Sequence, residues 1–341
     1  MAVTLYGDIT PRTAGFVVKD LLARGAVEAI IEKFAQTYVL PSNSTKTAMF
    51  RRYFLTGAPG TGTGTGSQGT VLATTPLVEG VPPAGQKLSK HDIQVTVAQY
   101  GDFTTITDVI EDTHEDPILK TAVELLGEQV VETMETLRYN VIKAGTSVSF
   151  ANGTVRSDVN TPITLSLLQT AVRGLNRQRA KLITQVVKAS PNYATEPVEA
   201  GYVCLVHPDL DKDIRAISGF IPVKKYGTMT PWAHEIGAVE NVRFVRSVLF
   251  IPFADAGGLK LGMISTTGTN ADVYPCTLLA RDAFGVVALK GKNSIVPMVV
   301  NAKPAHGNPL GQSGTVGWKT WFAAHILNDA WMTRIEVAAT V

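Results

Sequence analysis

Alternating glycine and threonine at residues 60–66 form the segment most similar to a phosphate-binding loop. Such a loop needs a lysine followed by serine or threonine and then a helix, because the lysine and the helix N-terminus hold the phosphate together. Here residues 67–70 supply no lysine and no helical pattern. We therefore predict no nucleotide site. We expect residues 57–70, dominated by Gly and Thr, to be flexible.

Four closely spaced carboxylates and six histidines are the groups that could bind a metal. The carboxylates Glu111, Asp112, Glu115 and Asp116 could hold a divalent cation, but the EF-hand spacing is absent. Beside the start of a helix, acidic side chains more often stabilise its positive end. The histidines form no His-x-x-x-His pair and lie at no zinc spacing from a cysteine. We predict no metal site.

Candidate nucleophiles are also lacking. No Gly-x-Ser-x-Gly segment is present, and Cys204 and Cys276 lie in apolar surroundings, where thiols are usually inert. Buried, reduced thiols fit a cytosolic protein. We predict no catalytic residue and no cofactor, although a triad assembled from distant residues remains the enzyme alternative.

Two arginines between aromatic residues are the clearest binding motif. Arg51 and Arg52 stand between Phe50 and Tyr53. Such a pair can contact nucleic acid. The interpretation we favour is that the arginines bind carboxylates of a neighbouring subunit while the aromatic rings fill apolar pockets.

The element expected to organise the chain is a helix over residues 117–145. Asp116 suits the N-cap, Pro117 the first turn and Gly145 the C-terminus. An apolar stripe at spacings of three and four comprises Leu119, Val123, Leu126, Val130, Met134, Leu137 and Val141, with Glu124, Glu128, Glu132 and Glu135 off it. An ordinary amphipathic helix on a globular core is the alternative to an assembly element.

Other segments give shorter patterns. We predict a helix over residues 15–37, a strand over 93–107, and a hairpin of 148–151 with 155–158 around the Asn152-Gly153 turn. Residues 165–182 read as an amphipathic helix and residues 202–206 as a buried strand. A helix from His207 to Ile217, a strand pair within 242–253 and a strand at 259–264 after a Gly257-Gly258 turn indicate an α/β portion. Alternation over residues 319–337 predicts a C-terminal hairpin beside the long helix.

Composition describes a folded protein with covered surface. The chain has 341 residues, of which 45% are hydrophobic and 18% charged, with a net charge of +2. This balance argues against a dedicated DNA-binding protein. Residues 91–140 are acidic and residues 159–195 basic, a separation that could set the register between copies, or be neutralised within one chain. We expect no signal peptide and no membrane span.

Several short blocks carry a resemblance to a known family. They are Phe50-Arg51-Arg52-Tyr53, Gln99-Tyr100-Gly101-Asp102, Ile106-Thr107-Asp108, Asp116-Pro117-Ile118-Leu119, Leu125-Leu126-Gly127-Glu128-Gln129, His207-Pro208-Asp209 and Glu235-Ile236-Gly237. With these blocks in this order, the chain resembles a major capsid protein family of tailed bacteriophages, the family typified by podophages that carry a virion RNA polymerase. The Gly/Thr tract departs from that pattern as an insertion.

This resemblance implies an α+β fold of the Johnson type, shared by tailed phages and herpesviruses. It implies an N-terminal arm (1–75), an extended loop (76–108), a peripheral domain with a long spine helix (109–162 and 276–341) and an axial domain (163–275). We expect contacts between subunits at Phe50, Arg51, Arg52, Tyr53, Tyr100 and Asp102.

The function implied is that of a shell-forming structural protein without enzymatic activity. Many copies would form hexamers and pentamers around double-stranded DNA, which they enclose without reading its sequence. Scaffolding, cement and portal proteins are the further partners implied, with assembly in the host cytoplasm and a final location in the virion. The alternatives are the shell of a cellular nanocompartment with the same fold and a soluble enzyme with an unrecognised site.

Overall fold

The computed structural model describes residues 3–4, 29–41, 45–56, 76–82, 87–113, 118–187, 195–227, 230–289, 298–304 and 308–341. The α-helices are α1 (Asp108–Thr113), α2 (Ile118–Lys143), α3 (Leu165–Arg177) and α4 (Asp211–Arg215). The strands are β1 (Val3–Thr4), β2 (Gln36–Leu40), β3 (Thr47–Thr56), β4 (Lys87–Thr96), β5 (Ala98–Thr107), β6 (Val148–Phe150), β7 (Tyr202–Val206), β8 (Phe220–Pro222), β9 (Glu235–Val239), β10 (Val242–Arg246), β11 (Tyr274–Leu279), β12 (Phe284–Leu289), β13 (Met298–Val300), β14 (Ser313–Ile326) and β15 (Met332–Val337). Short 3-10 helices cover Ile31–Phe34, Arg156–Asp158, Pro208–Leu210, Val223–Lys225 and Asp329–Trp331. This mixture confirms the predicted α+β class.

The strands form two large sheets and one ribbon. The first sheet runs β1-β5-β14-β12-β2, with β13 also paired to β14. The second sheet runs β6-β15-β11-β7-β10-β9-β8. Strands β3 and β4 pair only with each other among the described residues and form the ribbon. Both large sheets contribute side chains to one extensive hydrophobic core.

Helix α2 covers the first sheet. Its 26 residues span about 39 Å at 1.5 Å per residue. Leu126, Val130 and Met134 are buried at a spacing of four, as the apolar stripe predicts, and the helix packs on β14 and β5. Asp116 and Pro117 lie outside the described residues. None of the described helices, α2 included, has the length and apolar character needed to span a membrane.

Strand β7 lies at the centre of the second sheet. All five of its residues are buried, which confirms the predicted buried strand. It is parallel to β10 and antiparallel to β11. The predicted helix after β7 is present as a 3-10 turn followed by α4. Helix α3 begins where the Thr164 hydroxyl accepts the backbone N–H of Leu167, and it ends at Arg177, before the predicted end at residue 182.

The predicted helix over residues 15–37 is wrong in its described part, which begins at residue 29. A 3-10 helix over Ile31–Phe34 is followed directly by β2. Strand β2 adds in parallel to β12, from Gln36 opposite Gly285 to Leu40 opposite Leu289. Threonine, tyrosine and valine in succession favour this extended pairing over a helix. Residues 15–28 lie outside the described residues.

The hairpin predicted around Asn152-Gly153 is also wrong. Strand β6 pairs in parallel with β15, and the second half of the predicted hairpin is the 3-10 helix Arg156–Asp158. The turn is closed by side chains, since Asn152 Nδ2 donates to the Asp158 carbonyl and Thr154 N donates to Asp158 Oδ2. Gly153 has φ +65°, which suits glycine.

The predicted C-terminal hairpin does not form either. Strands β14 and β15 occur as predicted, and β14 packs beside α2, but the two strands belong to different sheets. Between them, the 3-10 helix Asp329–Trp331 carries the chain from one sheet to the other. Both strands find their partners elsewhere: β14 pairs with β5 and β12, and β15 pairs with β11 and β6.

The strand pair predicted within residues 242–253 is wrong, because only β10 forms there, and the strand predicted at 259–264 does not form. Strand β10 ends at Arg246 and pairs with β9, which was not predicted. Residues 247–272 make only isolated bridges, such as Phe253 with Val273 and Leu259 with Asn270. Gly257 and Gly258 lie in this irregular segment, where a Cβ on Gly257 would meet the backbone carbonyls of Val159 and Ala271.

Candidate functional site

Four of the six predicted contact residues lie on the ribbon. Strands β3 and β4 pair along their full length, from Thr47 opposite Thr96 to Thr56 opposite Lys87. Successive side chains alternate between two faces. The body face carries Ala48, Phe50, Arg52, His91, Ile93 and Val95. The outer face carries Met49, Arg51, Tyr53, Leu88, Lys90, Asp92 and Gln94.

An ion pair fixes the middle of the outer face. Arg51 Nε donates to Asp92 Oδ1 at 2.7 Å and Nη2 donates to Oδ2 at 3.0 Å, so the guanidinium and carboxylate meet as a fork. This hydrogen bonding lowers the pKa of the Asp92 carboxyl and raises the pKa of the Arg51 guanidinium. Arg51 therefore already binds a carboxylate of its own chain, and its contact with a neighbouring subunit stays a prediction.

Apolar side chains on the outer face remain uncovered. Met49 is 50% exposed, Tyr53 58% and Leu88 61%. The Tyr53 hydroxyl accepts a long hydrogen bond from Arg51 Nη1 at 3.5 Å, and the Arg51 guanidinium lies 6.0 Å from the centroid of the ring, while more than half of the side chain stays exposed. A two-stranded ribbon is marginally stable alone in water, and exposed apolar patches on such elements mark interaction surfaces.

The base of the body face is anchored in the first sheet. Ala48 and Val95 form a small hydrophobic cluster with residues of β2 and β12. The rings of Phe50 and Tyr38 meet edge to face, with centroids 5.7 Å apart. Phe50 is therefore half-buried against its own chain, and the ribbon is attached to the body at this end.

Further along the body face, Arg52 faces an open cavity of about 610 Å³. Its guanidinium lies 5.6 Å from the centroid of the Trp331 ring. His91, His325 and Asp329 also line the cavity. Arg52 is thus directed toward the segment between β14 and β15, away from the outer face that carries Arg51.

The other two predicted contact residues lie on β5. Asp102 Oδ2 accepts a hydrogen bond from Gln129 Nε2 at 2.6 Å, and Gln129 Oε1 accepts one from Trp318 Nε1 at 3.2 Å. The Tyr100 ring lies 6.5 Å from that of Phe322. The hydrogen bonds of Gln129 hold the first sheet to α2, and the contact of Tyr100 with Phe322 lies within that sheet, between β5 and β14. The structure therefore brings together the four ribbon residues but not Tyr100 and Asp102 with them.

A buried glutamate on α2 is a feature that sequence reasoning missed. Glu135, predicted to lie off the apolar stripe, is fully buried. Its Oε1 accepts the backbone N–H of Ile30 at 2.7 Å and that of Ile31 at 2.8 Å. Arg138, one turn later, donates to Glu32 Oε2 at 2.5 Å and to Glu135 Oε2 at 3.4 Å. Together they fix the segment that leads into β2. The i, i+3 spacing of Glu135 and Arg138 was the only sequence signal.

A second buried glutamate joins the strands at the edge of the second sheet. Glu336 has no exposed side-chain surface. Arg156 donates two hydrogen bonds to its carboxylate, at 2.7 and 2.8 Å, and Arg334 donates a third at 2.9 Å. The hydrogen bonding of Glu336 raises the pKa of Arg156. This cluster ties the segment after β6 to β15.

Comparisons with solved structures find the same fold. The chain is similar to the capsid of Ralstonia phage GP4, with a TM-score of 0.67 and 13% identity over 100% of this chain and 99% of that one. The capsid of Cyanophage P-SCSP1u gives a TM-score of 0.60 and 13% identity over 98% and 97%. The head of Helicobacter pylori bacteriophage KHP40 gives 0.58 and 11% over 99% and 98%. These similarities confirm the predicted capsid fold.

The family itself is shown by sequence. No curated protein matches the chain. A family model described as "Phage capsid protein" matches residues 90–335, which is more than two thirds of the chain. The match favours a phage head over the nanocompartment and enzyme alternatives. The chain therefore belongs to the phage capsid protein family and is a structural shell protein of a phage head.

Proposed function

We propose that this chain self-assembles through hexamers and pentamers into the closed icosahedral shell of a tailed-phage head that encloses double-stranded DNA. The observation that carries the proposal is the outer face of the ribbon. Its apolar side chains are open in the single chain, and a two-stranded ribbon gains stability when such a face is covered. Closed symmetric shells arise when many identical interfaces of this kind repeat.

We further propose that the outer face packs against a neighbouring copy, with Tyr53 as an anchor. Tyrosine supplies a large contact area with one polar end, and such residues dominate interface energetics. The Arg51–Asp92 pair keeps Tyr53 in register by joining the two strands two residues away. Phe50 and Arg52 act from the opposite face by attaching the ribbon to its own body. Tyr100 and Asp102 retain a proposed contact role at the edge of the first sheet.

The division into an arm (1–75), an extended loop (76–108), a peripheral domain (109–162 and 276–341) and an axial domain (163–275) is part of the proposal. The ribbon joins two of these parts, because β3 lies in the arm and β4 in the extended loop. The second sheet likewise combines β7 of the axial part with β6 and β15 of the peripheral part. We propose that the arm and the loop reach neighbours as one unit.

The remaining parts of the proposal concern partners and place. The shell encloses DNA without reading its sequence, acts without catalysis, assembles in the host cytoplasm, and works with scaffolding, cement and portal proteins. A net charge of +2 on 341 residues supports containment over sequence-specific binding.

Electron microscopy of the expressed full chain tests the proposal. Closed shells of uniform size are expected. Particles purified from infected cells should protect DNA from nuclease, whereas a nanocompartment would hold protein cargo. Monomers or open aggregates of the wild-type chain under all assembly conditions would contradict self-assembly.

The role of the outer face is tested by the double variant Met49→Ser/Tyr53→Ser. Both side chains are exposed, so the subunit should fold while shells become fewer or dissociate at lower denaturant. Gln94→Ser, an exposed polar change on the same face, is the matched control and should assemble like wild type. Equal assembly of all three proteins would show that the outer face is not an interface.

A further inference from the structure

Helix α3 presents an outer surface that is entirely polar and carries no acid. Leu168, Ala171 and Leu175 form its buried side. Its exposed residues are Ser166, Gln169, Thr170, Arg173, Gly174, Asn176 and Arg177. The helix thus stabilises the second sheet through one side and leaves the other side available to a partner that recognises polar groups.

Positive charge continues past the end of this helix. Arg179 and Lys181 are exposed, and Arg281 is held next to them because its backbone N–H donates to the Lys181 carbonyl at 3.0 Å. With Arg173 and Arg177 these residues make up the basic face. Across the described part of the chain, Arg173, Arg177 and Arg179 form no ion pair with any residue. The nearby acids are Glu240, which accepts from Gln169 Nε2 at 2.8 Å, and Asp282.

Two backbone features of α3 do not serve its own packing. Gly174 lies inside the helix, where glycine is unfavourable, and a Cβ placed there would meet nothing within 4 Å. Arg179 adopts φ +54° just after the helix, a position where glycine is usual. Gly174 therefore leaves space for a partner to approach the helix closely. Arg179 places a cation at a position where glycine would adopt the positive φ with less strain.

The choice of partner follows from what the basic face lacks. Interfaces between proteins are centred on aromatic and arginine side chains packed among apolar groups, and the exposed side of α3 has arginines but no aromatic or apolar side chain around them. Phosphate backbones are bound by Arg, Lys, Ser, Thr, Asn and Gln, the types found there. A second copy could offer the acidic side of α2, but Glu124 and Glu128 on that side already interact within their own chain.

We infer that the basic face of α3 binds the phosphate backbone of the enclosed double-stranded DNA without sequence preference. This inference rests on the proposed function and adds to it an inner surface of the subunit. Arg173 and Arg177 are one helical turn apart, so both can reach one stretch of backbone. Binding of this kind releases counterions and weakens steeply with salt.

The test is a titration of the purified, unassembled full chain with a 30-base-pair duplex of mixed sequence. Fluorescence anisotropy measures the binding, and the titration is repeated at salt concentrations from 50 to 200 mM. The double variant Arg173→Gln/Arg177→Gln should bind roughly tenfold to a hundredfold more weakly at 0.1 M salt, and the slope of log K against log salt should fall by about 1.8. Arg173→Lys/Arg177→Lys keeps both charges and should retain the wild-type slope. Lys224→Gln/Lys319→Gln removes two exposed charges elsewhere and should bind like wild type.

Three results would overturn the inference. The first is no binding by the wild-type chain, and the second is equal affinity and slope for wild type and the glutamine variant. The third is that the glutamine variant forms no shells but binds DNA like wild type, which would assign the basic face to a contact between copies. Microscopy separates these results from a failure of the proposed function, because shells that form normally with a negative titration contradict the DNA contact alone.

Discussion

Glu135 Oε1 accepts the backbone N–H of Ile30 at 2.7 Å, across 105 residues of sequence. The same oxygen accepts the N–H of Ile31, so one carboxylate satisfies two backbone donors that are buried with their side chains. Buried donors without a partner are costly. The helix that covers the first sheet thereby also fixes the segment at Ile30 and Ile31 that leads into β2.

Replacing Glu135 with alanine should destabilise the subunit by about 2–5 kcal/mol, because two buried N–H groups lose their acceptor and the buried Arg138 guanidinium loses one of its two carboxylate partners, keeping Glu32. Chemical denaturation of the unassembled chain measures this change. Glu132→Ala, one turn earlier and exposed, is the matched control and should change stability by less than about 0.5 kcal/mol.

Glu135→Gln separates hydrogen bonding from charge. Its amide oxygen can still accept from Ile30, so the loss should be smaller than for alanine. Hydrogen exchange of the Ile30 and Ile31 amides should accelerate most in Glu135→Ala. Unchanged protection of those amides in the alanine variant would show that the carboxylate does not hold this segment.

Two elements were predictable because their apolar pattern reflects how they are buried. The stripe through Val130 indicates a helix with one buried face, and the unbroken apolar run at Tyr202–Val206 indicates a strand that is buried on both faces. The prediction of a C-terminal hairpin was wrong because the alternation of apolar and polar residues indicates which face of a strand is buried but not with which other strand it pairs. Strand β15 is in fact buried on both faces, so even its alternation of residue types did not reflect exposure.

The candidate site was predictable in its composition but not in its geometry. The motif around Arg51 indicated a binding element, yet its partner Asp92 lies 41 residues away on a strand whose pairing no local pattern reveals. Glu135 was predicted to lie off the apolar stripe of α2, a position at which a glutamate normally faces water. The burial of Glu135 is favourable because its carboxylate accepts backbone N–H groups at Ile30 and Ile31, which are distant in the sequence.

Glu336 should be among the most sensitive positions for folding. Glu336→Ala removes the carboxylate that Arg156 and Arg334 share. Both guanidinium groups lose their counter-ion, and the largely buried Arg334 keeps only the carbonyl oxygens of Lys143 and Gly145 as acceptors. We expect a loss of about 3–5 kcal/mol in the free energy of unfolding. Denaturant midpoints of the unassembled variant and of Glu199→Ala, an exposed control, measure the difference. A loss no greater than the control's would mean that the cluster contributes nothing net.

His207 should make stability depend on pH. Burial lowers its pKa, although Asp209, 3.1 Å from Nδ1, acts in the opposite direction, and the Tyr274 ring lies against it. A histidine whose pKa is lower in the folded state contributes stability that is fully present above its unfolded pKa of about 6.5 and is lost as pH falls toward the folded pKa. The thermal midpoint should therefore decrease from pH 7.5 to pH 5.

His207→Asn isolates this contribution. His207 Nδ1 accepts the backbone N–H of Asp209 at the start of a 3-10 helix, and asparagine is a favoured residue at such a cap. The variant should fold, and its midpoint should decrease less between pH 7.5 and pH 5 than that of wild type. An identical decrease in both proteins would assign the pH dependence to other groups.

Gly201 and Gly174 should respond in opposite directions to alanine. A Cβ on Gly201 would overlap the backbone carbonyl of Asn241, whose oxygen accepts the Tyr202 N–H at the first pair of β7 and β10. Gly201→Ala should therefore separate these central strands and cost more than about 3 kcal/mol or prevent folding. Gly174→Ala meets open space inside a helix and should stabilise the unassembled subunit by about 0.5–1 kcal/mol. Denaturant midpoints of the two variants provide the comparison, and a Gly201→Ala chain as stable as wild type would contradict the close approach of the two strands.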